Sequence, residues 1–124
     1  MKDIKYKIIK VLVPEATSVV KFSADSDKMY KQITGIFASL PEDKAVPGTL
    51  LELKIADKEI FPDEFEIKMI TTGLNVSPNN RFYEKINEEA QGNRIDGRFT
   101  DSGKADVYPY VAKIYLRHED KILL

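Results

Sequence analysis

The sequence predicts an all-β protein: a single-domain β-sandwich or jelly roll of about eight strands with at most one short helix. Three features predict it. Short segments alternate between hydrophobic and polar residues, turn residues separate these segments, and no helical segments of about 10–15 residues lie between them. The 124 residues are 43% hydrophobic and 31% charged, which is enough for one hydrophobic core. No repeat or linker interrupts the chain, so residues 1–124 are expected to form one domain.

The clearest alternation predicts the strand over residues 49–55. Leu51, Leu53 and Ile55 fall on one face there, because successive side chains of a strand point to opposite sides of its sheet. Residues 4–13 begin with alternation and then become continuously apolar, which is typical of a strand buried on both faces. Similar alternation or β-branched and aromatic content predicts further strands over residues 18–22, 32–40, 65–69, 94–100 and 107–117.

Two glycines, one proline and one segment with helical spacing indicate departures from regular strands. Gly35 and Gly97 lie inside predicted strands and indicate bulges or close backbone approach. Pro109 lacks a backbone N–H, so the last strand is predicted to be an edge strand or to contain a bulge. Residues 82–91 place Tyr83, Ile86 and Ala90 at helical spacing, and one or two helical turns are the alternative to extended chain there.

The residue types argue against catalysis. The chain has no cysteine and a single histidine, His118. This composition excludes Cys-His catalysis and a His-rich zinc site. His118 itself is expected at the surface. The six glycines form no phosphate-binding loop. The acidic loops at residues 25–27 and 101–103 are explained by Asx-turns and do not have the ligand spacing of a calcium loop. We therefore expect a non-enzymatic protein without a metal or cofactor.

The charge balance argues against nucleic acid as the main partner. Nineteen basic and twenty acidic residues give a net charge of −1, whereas nucleic-acid domains usually carry a basic excess. Only a weak contact through Lys2, Lys5 and Lys7 is expected, and edge lysines that discourage aggregation explain the same residues. No stretch approaches the roughly 20 apolar residues of a membrane span, and the N-terminus lacks the apolar core of a signal peptide. A soluble protein is expected.

Two kinds of residue are candidates for a binding surface. The chain ends in Ile122, Leu123 and Leu124, which either pack on the protein's own core or dock on a neighbour. Aromatic residues either fill a core or interface or form an exposed platform for sugars or bases. We predict that both groups contribute to a protein interface; the aromatic members are Phe82, Tyr83, Tyr108 and Tyr110.

Residues 50–66 look like a hairpin followed by a tight corner, and the arrangement continues through residues 79–83. As a pattern of strands, this resembles the small β-rich structural proteins of tailless bacteriophages, including single jelly-roll capsid or penton-type subunits. The resemblance implies a homo-oligomer, a pentamer or trimer, which contacts a larger shell protein in the virion. It implies no catalytic residue.

Two other functions remain open from the sequence. One is a cytoplasmic carbohydrate- or ligand-binding β-sandwich with Tyr83, Tyr108 or Tyr110 as its platform. The other is a carboxylate hydrolase that uses Asp63 or Glu64. A solvated strand face is the simpler explanation of these carboxylates.

Overall fold

Eight β-strands dominate the part of the chain that the computed structural model describes, which comprises residues 3–71, 82–83 and 86–122. In chain order they are β1 (Ile4–Val13), β2 (Val19–Asp25), β3 (Tyr30–Ser39), β4 (Leu50–Ile55), β5 (Lys58–Phe61), β6 (Glu88–Glu89), β7 (Arg94–Thr100) and β8 (Tyr110–Lys121). Short 3₁₀ helices cover Asp43–Ala45 and Ile67–Ile70. None of the described helices is long and apolar enough to cross a membrane.

The strands form two four-stranded antiparallel sheets. The first sheet has the order β1-β8-β3-β6 and the second has the order β2-β7-β4-β5. The first strand thus pairs with the last, β2 with β7, β3 with β6, and β4 with β5. This nesting arises when a long hairpin, with β1–β4 as one arm and β5–β8 as the other, wraps into a sandwich, which is the jelly-roll arrangement. The predicted fold class is confirmed.

The core lies between the inner faces of the two sheets. Period-two alternation puts apolar side chains there from every long strand, so that burial follows directly from the sequence pattern. Each large apolar side chain contributes about 1.5–3 kcal/mol when it is fully buried. Side chains with almost no exposed surface include Ile33, Ile36, Leu51, Leu53, Ile95, Phe99, Ile114 and Leu116.

The predicted hairpin over residues 50–66 is present. Ile55 pairs with Lys58, and the two intervening residues, Ala56 and Asp57, have φ values of 51° and 65°. Positive φ at both central positions is the type I′ geometry, whose twist matches that of the flanking strands.

The prediction of a strand over residues 65–69 is wrong, because Ile67–Ile70 forms a 3₁₀ helix. Ile67 and Ile70 are buried while Met69 is exposed. Positions three residues apart share a face of a 3₁₀ helix, so both isoleucines reach the core. The corner is joined to β4 by two backbone bonds: Ile67 N–H donates to the Thr49 carbonyl at 2.9 Å, and Leu51 N–H donates to the Phe65 carbonyl at 2.9 Å.

Within residues 82–91, the described part is extended chain and turn, not helix. Tyr83 exchanges two backbone hydrogen bonds with Ile36 of β3, at 2.8 and 3.1 Å. Glu88–Glu89 then forms β6 beside the same strand. Pairing with β3 satisfies backbone groups and still buries Ile86 and Ala90, so the helical spacing reflects burial alone.

The last strand is not an edge strand. β8 lies between β1 and β3, and Pro109 precedes it outside the ladder. The proline therefore removes no hydrogen bond from the sheet, and the prediction based on it is wrong. The expectation for Gly35 is confirmed, because the register of β3 against β8 shifts between Ile33 and Gly35.

Gly97 allows close approach of an aromatic ring. It pairs directly with Phe22 on β2. A Cβ atom at position 97 would lie 2.1 Å from Phe22 Cζ, well inside van der Waals contact. The ring thus fills the place that a side chain would occupy.

We expect Gly97→Ala to lower the free energy of unfolding by about 1–3 kcal/mol, because the added methyl group overpacks the site. Urea denaturation measures the change. In a Phe22→Leu background the same substitution has a smaller effect, since the clashing ring is gone. An equal loss in both backgrounds contradicts this explanation.

Candidate interaction surface

The outer face of the first sheet carries an unusual number of exposed apolar side chains. On β1, inward-facing Ile9, Val11 and Val13 are buried, so the alternate residues point to solvent. Four of the five outward residues are apolar, and Lys10 lies between the third and the fourth. We call these four residues the apolar row. Its members Ile4, Tyr6, Ile8 and Leu12 are 48–58% exposed.

The row is exposed because the sandwich has two layers, so that the outer face of the first sheet is not covered by another element. The sequence predicted a strand buried on both faces, and this prediction is wrong, because only the inner face is covered. Val111 of β8 lies opposite Leu12 in the register and is also exposed, so the apolar surface continues onto the next strand.

Phe82 extends this surface with an aromatic cluster. Its ring stacks on Tyr6 with centroids 5.3 Å apart and lies 5.9 Å from Phe37. Phe37 in turn lies 6.0 Å from Tyr115. The Arg117 guanidinium is 5.7 Å from the Phe82 centroid, in cation–π geometry. Phe82, predicted as an interface residue, thus packs on the outer face of β1, β3 and β8.

The outer face of the second sheet is charged. Arg98 donates to Glu52 at 2.7 Å, and Arg94 donates to Asp96 at 2.9 Å. Such paired surface charges are already solvated and contribute little to stability. The two faces of the sandwich are therefore chemically different, and the apolar one is the candidate for contact with a partner.

Two of the predicted interface residues, Tyr108 and Tyr110, belong to an internal hydrogen-bond network. Their hydroxyls donate to the two carboxylate oxygens of Asp101, at 2.6 and 2.5 Å. Backbone N–H groups of Thr17 and Gly103 donate to the same carboxylate, at 3.0 and 2.9 Å. Tyr110 is only 6% exposed, so its ring is not available as a binding platform.

Hydrogen bonding decides the ionisation of this carboxylate. Burial acts to raise the pKa of Asp101, but the hydrogen bonds from Tyr108 and Tyr110 outweigh it and hold that pKa below its ordinary value. Burial and its hydrogen bond to Asp101 raise the pKa of Tyr110. Asp101 therefore acts as a charged acceptor that joins the loop before β8 to the turn after β1.

The other predicted interface residues occupy different places. Tyr83 is half-buried, and its ring makes an edge contact with Phe61 at 5.9 Å. Ile122 is half-buried, and its N–H donates to the Met29 carbonyl at 2.7 Å. The terminal leucines, Leu123 and Leu124, lie outside the described residues.

The lysines considered for nucleic acid contact are engaged within the chain where they are described. Lys5 Nζ lies 2.7 Å from Asp27 Oδ2, and Lys7 Nζ donates to the Asp25 carbonyl. Lys2 lies outside the described residues. Within those residues, no three acidic or imidazole side chains are grouped closely enough to bind a metal ion.

His118 is buried, contrary to the surface position expected from the sequence. It is 0% exposed. Its Nε2 accepts from the Asp27 N–H at 3.2 Å, so Nδ1 carries the proton and donates to the Leu116 carbonyl at 3.2 Å. Burial lowers the pKa of His118 below its ordinary value, so the ring is neutral at pH 7 in the folded protein.

Comparison of the chain with protein-family models, curated proteins and solved structures gives no match. The sequence analysis did not predict the apolar row, although the lysines of β1 are typical of an edge strand. The lysines at positions 5, 7 and 10 indicate an edge strand, and a two-layer sandwich leaves the outer face of each strand exposed.

We expect the buried His118 to make the free energy of unfolding decrease as the pH is lowered below about 7. The unfolded chain, with a histidine pKa near 6.5, binds a proton more tightly than the folded protein. The stabilisation is fully present above about pH 6.5 and is lost as the pH falls below it. Urea denaturation at several pH values measures this loss. A His118→Gln variant lacks it, and an unchanged pH dependence in that variant contradicts the assignment.

We expect Tyr110→Phe to lower the free energy of unfolding by about 1.5–3 kcal/mol, because a hydrogen bond to a buried carboxylate is lost. Tyr115→Phe is the matched control, since the Tyr115 hydroxyl has no hydrogen-bond partner among the described residues. Thermal or urea denaturation compares the two variants. Equal effects would contradict the role assigned to Asp101.

Proposed function

We propose that this protein is a non-enzymatic structural subunit that associates with copies of itself and with a larger shell protein in a virus particle. The observation that supports it is the apolar row on β1. Apolar side chains that are clustered on one face and half-exposed are unfavourable in water unless a partner covers them. Tyrosine and phenylalanine beside the row are residues that protein interfaces favour.

The fold supports a capsid or penton-type role, because eight-stranded jelly rolls are used by viral capsid proteins. Lectins and cupins share this fold, so the surface must decide between the alternatives. The apolar row provides a protein-binding surface at the edge of one sheet. We therefore favour an assembly subunit over a ligand-binding module.

The carbohydrate- or ligand-binding alternative has lost its best aromatic candidates. A stacking platform needs an exposed ring. Tyr110 is buried and Tyr108 is half-buried, and both donate to Asp101. Tyr83 packs against Phe61. None of the three is exposed to the extent of Tyr6 on β1, which is 51% exposed.

Light scattering behind a sizing column tests self-association. We expect a discrete oligomer, a pentamer or trimer, for the unaltered protein. The double substitution Ile8→Ser, Leu12→Ser should shift it toward the monomer, because it removes half of the apolar row while leaving the core intact. The melting temperature of the dissociated subunit should change little, since surface substitutions are usually worth less than about 0.5 kcal/mol each.

Val107→Ser is the control for this experiment. Val107 is 66% exposed in the loop before β8 and lies outside the apolar row. Its substitution should leave the oligomer intact. A monomeric unaltered protein at high concentration, or an oligomer that survives loss of Ile8 and Leu12, contradicts the proposed association.

A further inference from the structure

The two lateral sides of the sandwich are formed by different edge strands. β1 and β2 end their sheets on one side, where Lys5 pairs with Asp27 and Lys7 bonds to the Asp25 carbonyl. We call this the β1 side. β5 and β6 end the sheets on the opposite side, which we call the β5 side. An ion pair of 2.9 Å between Lys58 and Glu88 joins these two strands.

Each side presents an open backbone edge. Among the described residues, β1 pairs with β8 alone and β5 pairs with β4 alone. An edge strand leaves a row of N–H and C=O groups without a partner in the sheet, so it is available to pair with another chain. The ten residues of β1 make its edge the longer of the two.

The β1 side is basic. Its two strands carry four lysines, Lys5, Lys7, Lys10 and Lys21, against one carboxylate, Asp25. Lys10 points outward beside the apolar row, is exposed, and forms no ion pair in the described part of the chain. It lies opposite Lys113 in the register. Because like charges directly opposite are unfavourable, this position has a positive charge that a partner carboxylate would relieve.

The β5 side is acidic. Between the β4–β5 turn and the corner after β5, four exposed carboxylates have no ion pair within the described residues, whereas Lys58 is paired with Glu88. These four carboxylates are Asp57, Glu59, Asp63 and Glu64. Opposite charge thus lies on opposite sides of one molecule, although the net charge of the chain is only −1.

From this arrangement we infer that copies of the chain associate head to tail, with the β1 side of one copy against the β5 side of the next. The inference deepens the proposed function and rests on it. A two-fold dimer through β1 would place lysine against lysine, so charge disfavours that isologous contact. A heterologous contact closes into a ring or continues as a filament, depending on the rotation between copies.

The head-to-tail contact also adds favourable interactions to the burial of the apolar row. Burying a large apolar side chain contributes about 1.5–3 kcal/mol, and association must overcome about 4–15 kcal/mol of lost translational and rotational freedom. Burial of the half-exposed row alone therefore offsets only part of this cost of association. Edge-strand hydrogen bonds and complementary charge beside the row provide the additional interactions.

A charge-swap experiment tests the inference. Lys10→Glu on the β1 side and Glu59→Lys on the β5 side each place like charges at the contact. Each single variant should weaken association roughly tenfold or more, as measured by light scattering over a concentration series at low salt. The double variant should recover association, because every contact again joins opposite charges. Lys104→Glu is the control: it makes the same charge change at an exposed residue of the loop between β7 and β8, outside the four edge strands.

The outcomes separate the two proposals. A monomeric unaltered protein overturns the proposed self-association. An oligomeric protein in which Lys10→Glu behaves like Lys104→Glu, or in which the double variant stays dissociated, overturns the head-to-tail contact while self-association stands. Circular dichroism and melting temperature establish that both single variants remain folded, as expected for exposed side chains.

Discussion

The central position of β8 is the constraint on which the rest of the structure depends. This strand closes the first sheet by pairing with β1 along its length on one side and with β3 on the other. Both pairings join residues that are far apart in the sequence, so the sheet forms only when the end of the chain reaches its beginning. The edge position of β1 follows from this closure, whereas its apolar row is exposed because no third layer covers the outer face of the sheet.

Buried polar groups fix β8 near both ends. Near its start, Tyr110 donates to Asp101, which also accepts from Thr17 in the turn after β1. Near its end, His118 accepts from the backbone of Asp27 in the loop between β2 and β3. Unpaired polar groups are costly inside a protein, so a slip of β8 by one residue would break both networks as well as the apolar packing. These groups therefore specify the register of the strand.

The difference between the two outer faces is the structural basis of the proposed assembly. Charged pairs cover the second sheet, whereas the first has apolar and aromatic side chains around Phe82. The sandwich also has one basic and one acidic edge. A structural subunit can use such asymmetry to fix the direction in which copies join, because each contact then brings together two different surfaces.

The sequence by itself determined the strand content, the extent of β4 and β7 to within a residue, and the hairpin after β4, because the period of two and the turn residues are local signals. It failed where a short segment fits more than one period, at the corner containing Ile67 and at the segment leading to β6. Only the tertiary structure decided the strand order, the burial of His118 and Tyr110, and the exposure of the row on β1. Those features depend on pairings between residues that are distant in the sequence. Alternation along one strand predicts which residues share a face, but it does not predict what covers that face.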